Sequence, residues 1–158
     1  MDKTITTALL IIAGIVCSIF LFNTVYPMVN RSSAAMVSMS DKINDRMKSR
    51  VNIVHVANTA DRLTVYLWVK NVGSSRILAI EETDLFFGEE DDYNRIPHVD
   101  DAKGAYPYWT YTIENNTEWV GGATLKITIT YETDPGTGTY YAKVIIPNGI
   151  ADEYYFSM

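Results

Sequence analysis

Residues with the chemistry to bind a metal are concentrated in one acidic segment, residues 88–107, which reads GEEDDYNRIPHVDDAKGAYP. Its clustered carboxylates supply the oxygen ligands that Ca²⁺ prefers. Their spacing, however, matches no calcium loop with its required glycine. We therefore interpret the segment as a solvated acidic loop outside the sheet. Calcium binding is kept as the alternative, with four aspartates as its ligands: Asp91, Asp92, Asp100 and Asp101.

Other residues that could do chemistry are few. The chain has two histidines, His55 and His98, and one cysteine, Cys17. His55 lies within an alternating strand pattern, whereas His98 follows Pro97 in the acidic segment. The sequence contains no nucleophile elbow, glycine-rich phosphate loop, HExxH motif or CxxC motif. We therefore predict a protein that is not an enzyme and that uses no cofactor and no small-molecule substrate.

Two N-glycosylation sequons occur, Asn30-Arg-Ser and Asn115-Asn-Thr. Asn115 falls between two predicted strands, so it is a plausible surface glycan site if the protein is exported. Asn30 lies in the apolar N-terminal part of the chain and is the poorer candidate.

From residue 51 the apolar residues recur with period two, as in half-buried strands. VNIVHVAN and LTVYLWVKN are predicted strands separated by a turn at about residues 59–62. TLKITITYE and TYYAKVIIP are two more, and the TDPGTG segment between them predicts a hairpin. Leu125, Ile127 and Ile129 share one face of their strand, which we expect to point into the core.

Weaker strand signals are RILAI, TDLFF, WTYTI and the C-terminal EYYFSM. Seven or eight short strands with turn signals between them predict a β-sandwich of immunoglobulin type. The Cys…Trp…Cys pattern of true immunoglobulin domains is absent, so only the architecture is implied. The predicted fold class is α+β: a long hydrophobic N-terminal helix followed by an all-β, immunoglobulin-like sandwich.

The elements before the sandwich begin with an uncharged apolar run, Thr4 to Asn30. As a helix at about 1.5 Å per residue it is roughly 40 Å long, enough to span a bilayer. A cleaved secretory signal fits less well, because the run is long and lacks a clear A-x-A site. A helix buried among copies of itself in a filament needs the same all-round apolarity. Small residues that would let a neighbouring helix approach closely are Ala13, Gly14, Cys17 and Ser18.

Pro27 removes a backbone donor, so we expect a kink or break there. Beyond it, Met36, Met39, Ile43 and Met47 recur at helical spacing with polar residues on the other faces. We therefore predict an amphipathic continuation to about residue 50. The predicted division is residues 1–50 for the helix, as filament core or membrane anchor, and residues 51–158 for the sandwich.

The charge balance differs between these two parts. Residues 1–50 hold six Lys and Arg against three Asp and Glu, whereas residues 51–158 hold seven against sixteen. The body is thus strongly acidic and its N-terminal stalk is basic. An acidic body repels phosphate, so nucleic acid is not an expected partner.

The region SMSDKINDRMKSRVNIVHVANTADRLTVYLWVKNVGSSRI, residues 38–77, resembles the part of archaellum proteins that joins the helix to the first two strands. There a basic D-R-x-K helix end leads into an alternating strand and then into LTVYVKNxGS. The resemblance extends in general terms to the N-terminal helix and, in architecture only, to the C-terminal half. Within this superfamily, which is type IV pilin-like, archaellins polymerise into the rotating filament. The related F and G proteins are stators that contact the cell envelope.

This resemblance leaves two functions open. Only MDK precedes Thr4 and no glycine bounds a leader, as in the unprocessed F and G proteins, so we expect Thr4 to be retained. The Met-rich amphipathic extension instead favours a filament core. The sequence-based hypothesis is a structural subunit of a cell-surface swimming filament, inserted in the membrane before assembly, with copies of itself and the basal motor proteins as partners. The alternatives are a membrane-anchored stator protein and a membrane-tethered adhesin or binding module.

Overall fold

A computed structural model describes residues 2–158 of the chain. Helix α1 spans Asp2–Lys48, and the chain divides into two compact units between Lys42 and Ile43. The predicted long N-terminal helix is confirmed. It continues through Pro27, so the break that was one of the two expectations does not occur, while a kink at Pro27 stays a prediction.

Eight strands follow α1 and form two antiparallel four-stranded sheets, in the orders β1-β2-β6-β5 and β4-β3-β7-β8. The predicted sandwich architecture is therefore confirmed. The strands are β1 Val51–Asn58, β2 Thr64–Asn71, β3 Asp84–Glu89, β4 Asp92–Ile96, β5 Tyr108–Glu114, β6 Thr124–Thr130, β7 Thr139–Ile145 and β8 Ala151–Ser157. A 3₁₀ turn, Ile80–Glu82, precedes β3, and a short helix α2, Val99–Ala102, precedes β5.

The core lies between the two sheets and is built by alternation along each strand. Leu125, Ile127 and Ile129 of β6 are all 0% exposed, as the period-two pattern predicts. Trp109 of β5, in the first sheet, and Phe87 of β3, in the second, are also buried in this core. Burial of such side chains stabilises the fold by roughly 1.5–3 kcal/mol each.

The predicted hairpin between β6 and β7 is wrong. Strand β6 pairs with β2 and β5 in the first sheet, whereas β7 pairs with β3 and β8 in the second. The TDPGTG segment therefore carries the chain from one sheet to the other. Two strands with one buried face each show the same alternation whether they share a sheet or face each other across the core.

A bidentate ion pair fixes this crossover. Arg62, in the turn between β1 and β2, donates from Nε to Asp134 Oδ1 at 2.8 Å and from Nη2 to Asp134 Oδ2. The Gly136 amide donates to the same Oδ1 at 2.9 Å. These bonds hold the pKa of Asp134 at about 2, well below its ordinary value.

The prediction that the acidic segment, residues 88–107, is a loop outside the sheet is also wrong. Residues 92–96 form β4, which pairs with β3, and residues 99–102 form α2. Strand β4 has its other edge without a strand partner among the described residues, and four of its five side chains are exposed. An edge strand of this kind carries charges rather than an apolar alternation, so its sequence does not show the strand pattern.

The weak strand signal RILAI, residues 76–80, is also wrong. Ile77 and Ile80 are buried, but Ala79 adopts a left-handed conformation with φ of 51° and the 3₁₀ turn begins directly after it. Two buried isoleucines three residues apart thus anchor an irregular connection between the sheets.

Candidate functional site at the helix end

The C-terminal end of α1 is joined to the sandwich within the compact unit that begins at Ile43. We call the contact of residues 46–50 with residues 71–75 the junction. Ser49 closes the helix, because both its amide and its hydroxyl donate to Asp45 O, at 2.9 and 2.7 Å. Ser49 is only 6% exposed although it is polar. The helix end is therefore capped by a buried residue, although the side chains of its last turn are exposed.

The loop after β2 satisfies the backbone groups that the helix end leaves free. The Ser74 amide donates to Lys48 O at 2.8 Å, and the Val72 and Gly73 amides donate to Arg50 O at 2.9 and 3.0 Å. The basic side chains in the last turn of α1 also complement the negative end of the helix dipole. The junction is thus a backbone hydrogen-bond network rather than an apolar contact.

Gly73 is required by the closeness of this contact. A Cβ added at Gly73 would lie 2.6 Å from the Arg50 amide nitrogen and closer still to the Lys48 carbonyl oxygen. A Cβ added at Gly121 would lie 2.6 Å from Gly73 O on the other side. Gly73 is therefore enclosed by backbone on both sides, and only a residue without a side chain fits.

Asn71 organises the loop from inside. It is 0% exposed, its side-chain amide donates to Ser75 O at 2.8 Å and to Trp119 O at 3.1 Å, and its side-chain oxygen accepts from the Gly73 amide at 3.0 Å. The stretch KNVGS, residues 70–74, contributes to the family resemblance, but its sequence alone assigns no role to Asn71 or Gly73. The signal was present, because Asn followed two residues later by Gly at a strand end is typical of a built turn.

Arg46 makes a further contact at the junction. Its Nε donates to the carbonyl oxygen of Asn148, in the turn between β7 and β8, at 2.8 Å. Beside it an open cleft of about 500 Å³ is lined by Asp45, Ser49, Leu78 and Pro147 among others. Leu78 is 61% exposed there. The junction thus ties both sheets to the last turn of α1, within the compact unit that begins at Ile43.

The predicted helix-packing residues lie on α1 with their side chains exposed: Ala13, Gly14, Cys17, Ser18, Met36, Met39, Ile43 and Met47. A Cβ added at Gly14 would meet nothing within 4 Å. Among residues 2–158, α1 is the one helix that is long and apolar enough to cross a membrane, with a mean hydropathy of 2.6 over its best window. Its large apolar side chains, such as Phe20 at 70% exposed, therefore need lipid or other protein around them.

The predicted glycan sites lie in different parts of the fold, and the four aspartates predicted as calcium ligands lie in two different segments. Asn30 lies in α1, and Asn115 lies exposed in the loop after β5 with a left-handed φ of 60°. Asp91 lies in the turn before β4, Asp92 begins that strand, and Asp100 and Asp101 lie in α2. Within residues 2–158, no three acidic, histidine or cysteine side chains are grouped as a metal site requires. His98 is 8% exposed, with its Nδ1 3.3 Å from Asp100 Oδ2 and its ring against Trp109.

The chain is similar to known proteins both in sequence and in structure. No family model matches the chain. A protein of Archaeoglobus fulgidus described as uncharacterised is 28% identical over 164 residues, covering 98% of each chain.

Two solved structures share the fold. One is the archaellum periplasmic stator protein FlaG from Sulfolobus acidocaldarius, with a TM-score of 0.59, 24% identity, and coverage of 68% of this chain and 99% of FlaG. The other is the complex of the stator proteins FlaF and FlaG from the same organism, with a TM-score of 0.58, 24% identity, and coverage of 67% and 87%. The β-sandwich thus has the same fold as these two archaellum stator structures, which agrees with the resemblance noted in the sequence.

Proposed function

We propose that this protein is an archaellum-associated stator protein, anchored in the membrane by α1 and contacting the cell envelope through its sandwich. The observation that carries the proposal is the match to nearly the whole of FlaG, 99% of that chain, at a TM-score of 0.59. The filament subunit that the sequence favoured is not confirmed by these comparisons. They support the alternative, the stator.

The two parts of the chain suit this function separately. The uncharged stretch from Thr4 to Asn30 is about 40 Å long as a helix, which is sufficient for a bilayer. The junction fastens the last turn of α1 to both sheets through backbone hydrogen bonds and Arg46. A stator must resist torque, and a firm attachment of this last turn to the sandwich suits that function. The expected partner is a second archaellum envelope protein or the basal motor.

The test separates protein in the envelope from protein in filaments. Cells that carry a tagged copy are sheared to release their filaments, and the envelope and filament fractions are probed. We expect to find the tagged protein in the envelope fraction. We also expect that cells without the protein do not swim on soft agar. A tag that leaves with the sheared filaments would refute the stator function.

A matched pair of variants tests the anchor. Val16→Arg combined with Ile19→Arg places two charges in the uncharged stretch, where each costs roughly 2.5–3.5 kcal/mol of insertion. Ser33→Arg combined with Val37→Arg adds the same charge beyond that stretch. We expect the first pair alone to release the protein from the membrane fraction. Equal retention of both pairs would show that α1 does not span the bilayer.

The filament subunit remains the second candidate, because one observation favours it. Four apolar side chains beyond the uncharged stretch are exposed: Met36 at 73%, Met39 at 64%, Ile43 at 47% and Met47 at 82%. A simple lipid anchor has no use for them, whereas helices packed in a filament core would cover them.

Gly14→Leu tests this candidate cleanly. The substitution meets nothing within the chain, because an added Cβ at Gly14 has no neighbour within 4 Å. Loss of filaments in negative-stain images would therefore report a close contact between copies at Gly14. Unchanged motility and appendages would remove the support for the filament function.

A further inference from the structure

A row of tyrosines crosses the outer face of the second sheet. In the strand register Gly88 of β3 lies opposite Tyr93 of β4 and Tyr141 of β7, and Tyr141 lies opposite Tyr155 of β8. The ring centroids of Tyr93 and Tyr141 are 4.7 Å apart, and those of Tyr141 and Tyr155 are 5.0 Å apart. We call these three residues the tyrosine row.

Gly88 makes the row continuous. Strands β4 and β7 are separated by β3, so their side chains would ordinarily be about 9–10 Å apart. Because Gly88 has no side chain, the rings of Tyr93 and Tyr141 meet above it. A Cβ at Gly88 would lie 2.6 Å from Tyr93 Cα, so any other residue would push β4 away.

The two ends of the row are open to solvent. Tyr93 is 47% exposed and Tyr155 is 53% exposed, whereas the central Tyr141 is 6% exposed. The hydroxyl of Tyr141 donates to Glu153 Oε2 at 2.7 Å, which fixes the central ring. Tyrosines held rigid in this way supply contact area at small entropic cost and are typical of binding hot spots.

The charges around the row select the partner. Both cations on this face are already paired, Arg95 with Asp84 at 2.6 Å and Lys143 with Glu153 at 3.8 Å. Next to Tyr93, the turn into β4 carries Glu90 and Asp91, which are exposed and make no ion pair among the described residues. The tyrosine row therefore adjoins a turn with unpaired negative charge.

We propose that the tyrosine row and the adjoining turn, residues 90 and 91, form a docking surface for an Arg- and Lys-rich segment of a partner protein. A guanidinium or ammonium group on the open face of Tyr93 or Tyr155 gains cation–π attraction, and the neighbouring carboxylates of the turn add charge complementarity. The surface belongs to the sandwich alone, so the proposal goes beyond the anchoring function and does not depend on it.

The experiment measures binding of a fluorescent nine-residue peptide with arginine at alternate positions to the full chain in neutral detergent. Tyr93→Leu and Tyr155→Leu remove a ring, whereas Tyr93→Phe keeps it and Tyr66→Leu removes a ring from the outer face of the other sheet. We expect Tyr93→Leu and Tyr155→Leu each to weaken peptide binding about fivefold or more. Tyr93→Phe and Tyr66→Leu should bind as the unmodified protein does.

Two further measurements test whether the positive charge of the peptide is what the surface recognises. A citrulline peptide of the same length should bind at least about tenfold more weakly, and raising NaCl from about 50 to about 500 mM should weaken the arginine peptide. Unchanged thermal midpoints of the variants show that they are folded. Arginine-peptide binding that is indifferent to the rings would overturn the proposal, as would equal binding of the citrulline peptide or self-association of the chain through Tyr93 and Tyr155.

Discussion

Asn71, at the end of β2, and Trp119, in the loop between β5 and β6, are joined by a hydrogen bond of 3.1 Å from the Asn71 side-chain amide to the Trp119 carbonyl oxygen. The backbone of the Trp119 loop also accepts from the Ile77 amide at 3.1 Å. One buried asparagine thus connects the loop that holds the helix end to the loop that precedes β6. The stability of the junction depends on an amide side chain rather than on apolar packing.

Asn71→Ala should therefore destabilise the sandwich by about 2–3 kcal/mol, because it removes the three hydrogen bonds that this fully buried side chain makes with Ser75 O, Trp119 O and the Gly73 amide. Urea unfolding of the full chain, followed by tryptophan fluorescence, measures the loss. The control is Asn94→Ala, at an exposed position in β4, which should change the unfolding midpoint little. Equal urea midpoints for the two variants would contradict this prediction and would mean that water replaces the hydrogen bonds of Asn71.

Gly73→Ala should separate the helix end from the loop, because the added carbon would contact backbone atoms of residues 48 and 50 that cannot move aside. We expect a loss of about 2 kcal/mol or more and faster hydrogen exchange of the Ser74 amide. Gly138→Ala is the matched control, since its added Cβ would meet only Glu89 Oε1 at 3.9 Å. Protection of Ser74 that survives Gly73→Ala would contradict the close approach.

Sequence reasoning identified the elements whose signal is local. The uncharged run predicts α1, because a helix in lipid or among other helices needs apolar side chains all round. The alternation of Leu125, Ile127 and Ile129 predicts a core-facing strand, because such a strand buries one face. The fold class could be predicted because enough such strands are present, separated by turn residues.

The pairing of the strands and the edge strand β4 could not be predicted from the sequence, for a physical reason. Alternation in β6 and β7 reports one buried face per strand but not which strand lies alongside, so a crossover pinned by Asp134 reads as a hairpin. Strand β4 buries only Ile96 and therefore reads as loop. The junction was missed because Asn71 and Gly73 act through backbone groups, which leave no periodic trace in the sequence.

Acid should weaken the crossover through Asp134. Its ordinary pKa is 3.8 and the ion pair with Arg62 lowers it to about 2 in the folded protein. The unfolded chain therefore binds more protons between these values, so the stabilisation is present above pH 3.8 and is lost as the pH falls toward 2. Thermal midpoints measured across this window should fall more steeply for the unmodified protein than for Asp134→Asn. Parallel curves would show that the pair contributes nothing.

Asn115 should carry a glycan if the sandwich is exported. It is exposed, and its loop projects between two strands of the first sheet. Intact mass of the native protein should fall by one glycan in Asn115→Gln, whereas Asn30→Gln, in the apolar helix, should leave the mass of the attached sugar unchanged. A glycan that persists in Asn115→Gln would place the modification elsewhere.

The sandwich should fold without α1, and the end of α1 should add to its stability. Residues 51–158 retain every strand and the whole core, so we expect a soluble monomer that forms no filaments. Residues 43–158 restore the Lys48 and Arg50 carbonyl oxygens that accept from the amides of residues 72–74, together with the Arg46 bond to Asn148.

At about 1 kcal/mol for each net hydrogen bond, the longer fragment should be more stable by about 2–4 kcal/mol. Urea unfolding of the two fragments gives this difference directly. Ile127→Asp, which places an unpaired charge at a fully buried position, should unfold both fragments, whereas Thr128→Asp on the outer face should unfold neither. Equal stability of the fragments would reduce the junction to a passive contact. Filaments formed by residues 51–158 would place the polymerisation signal in the sandwich, and α1 would then lose its role as the element that needs partners.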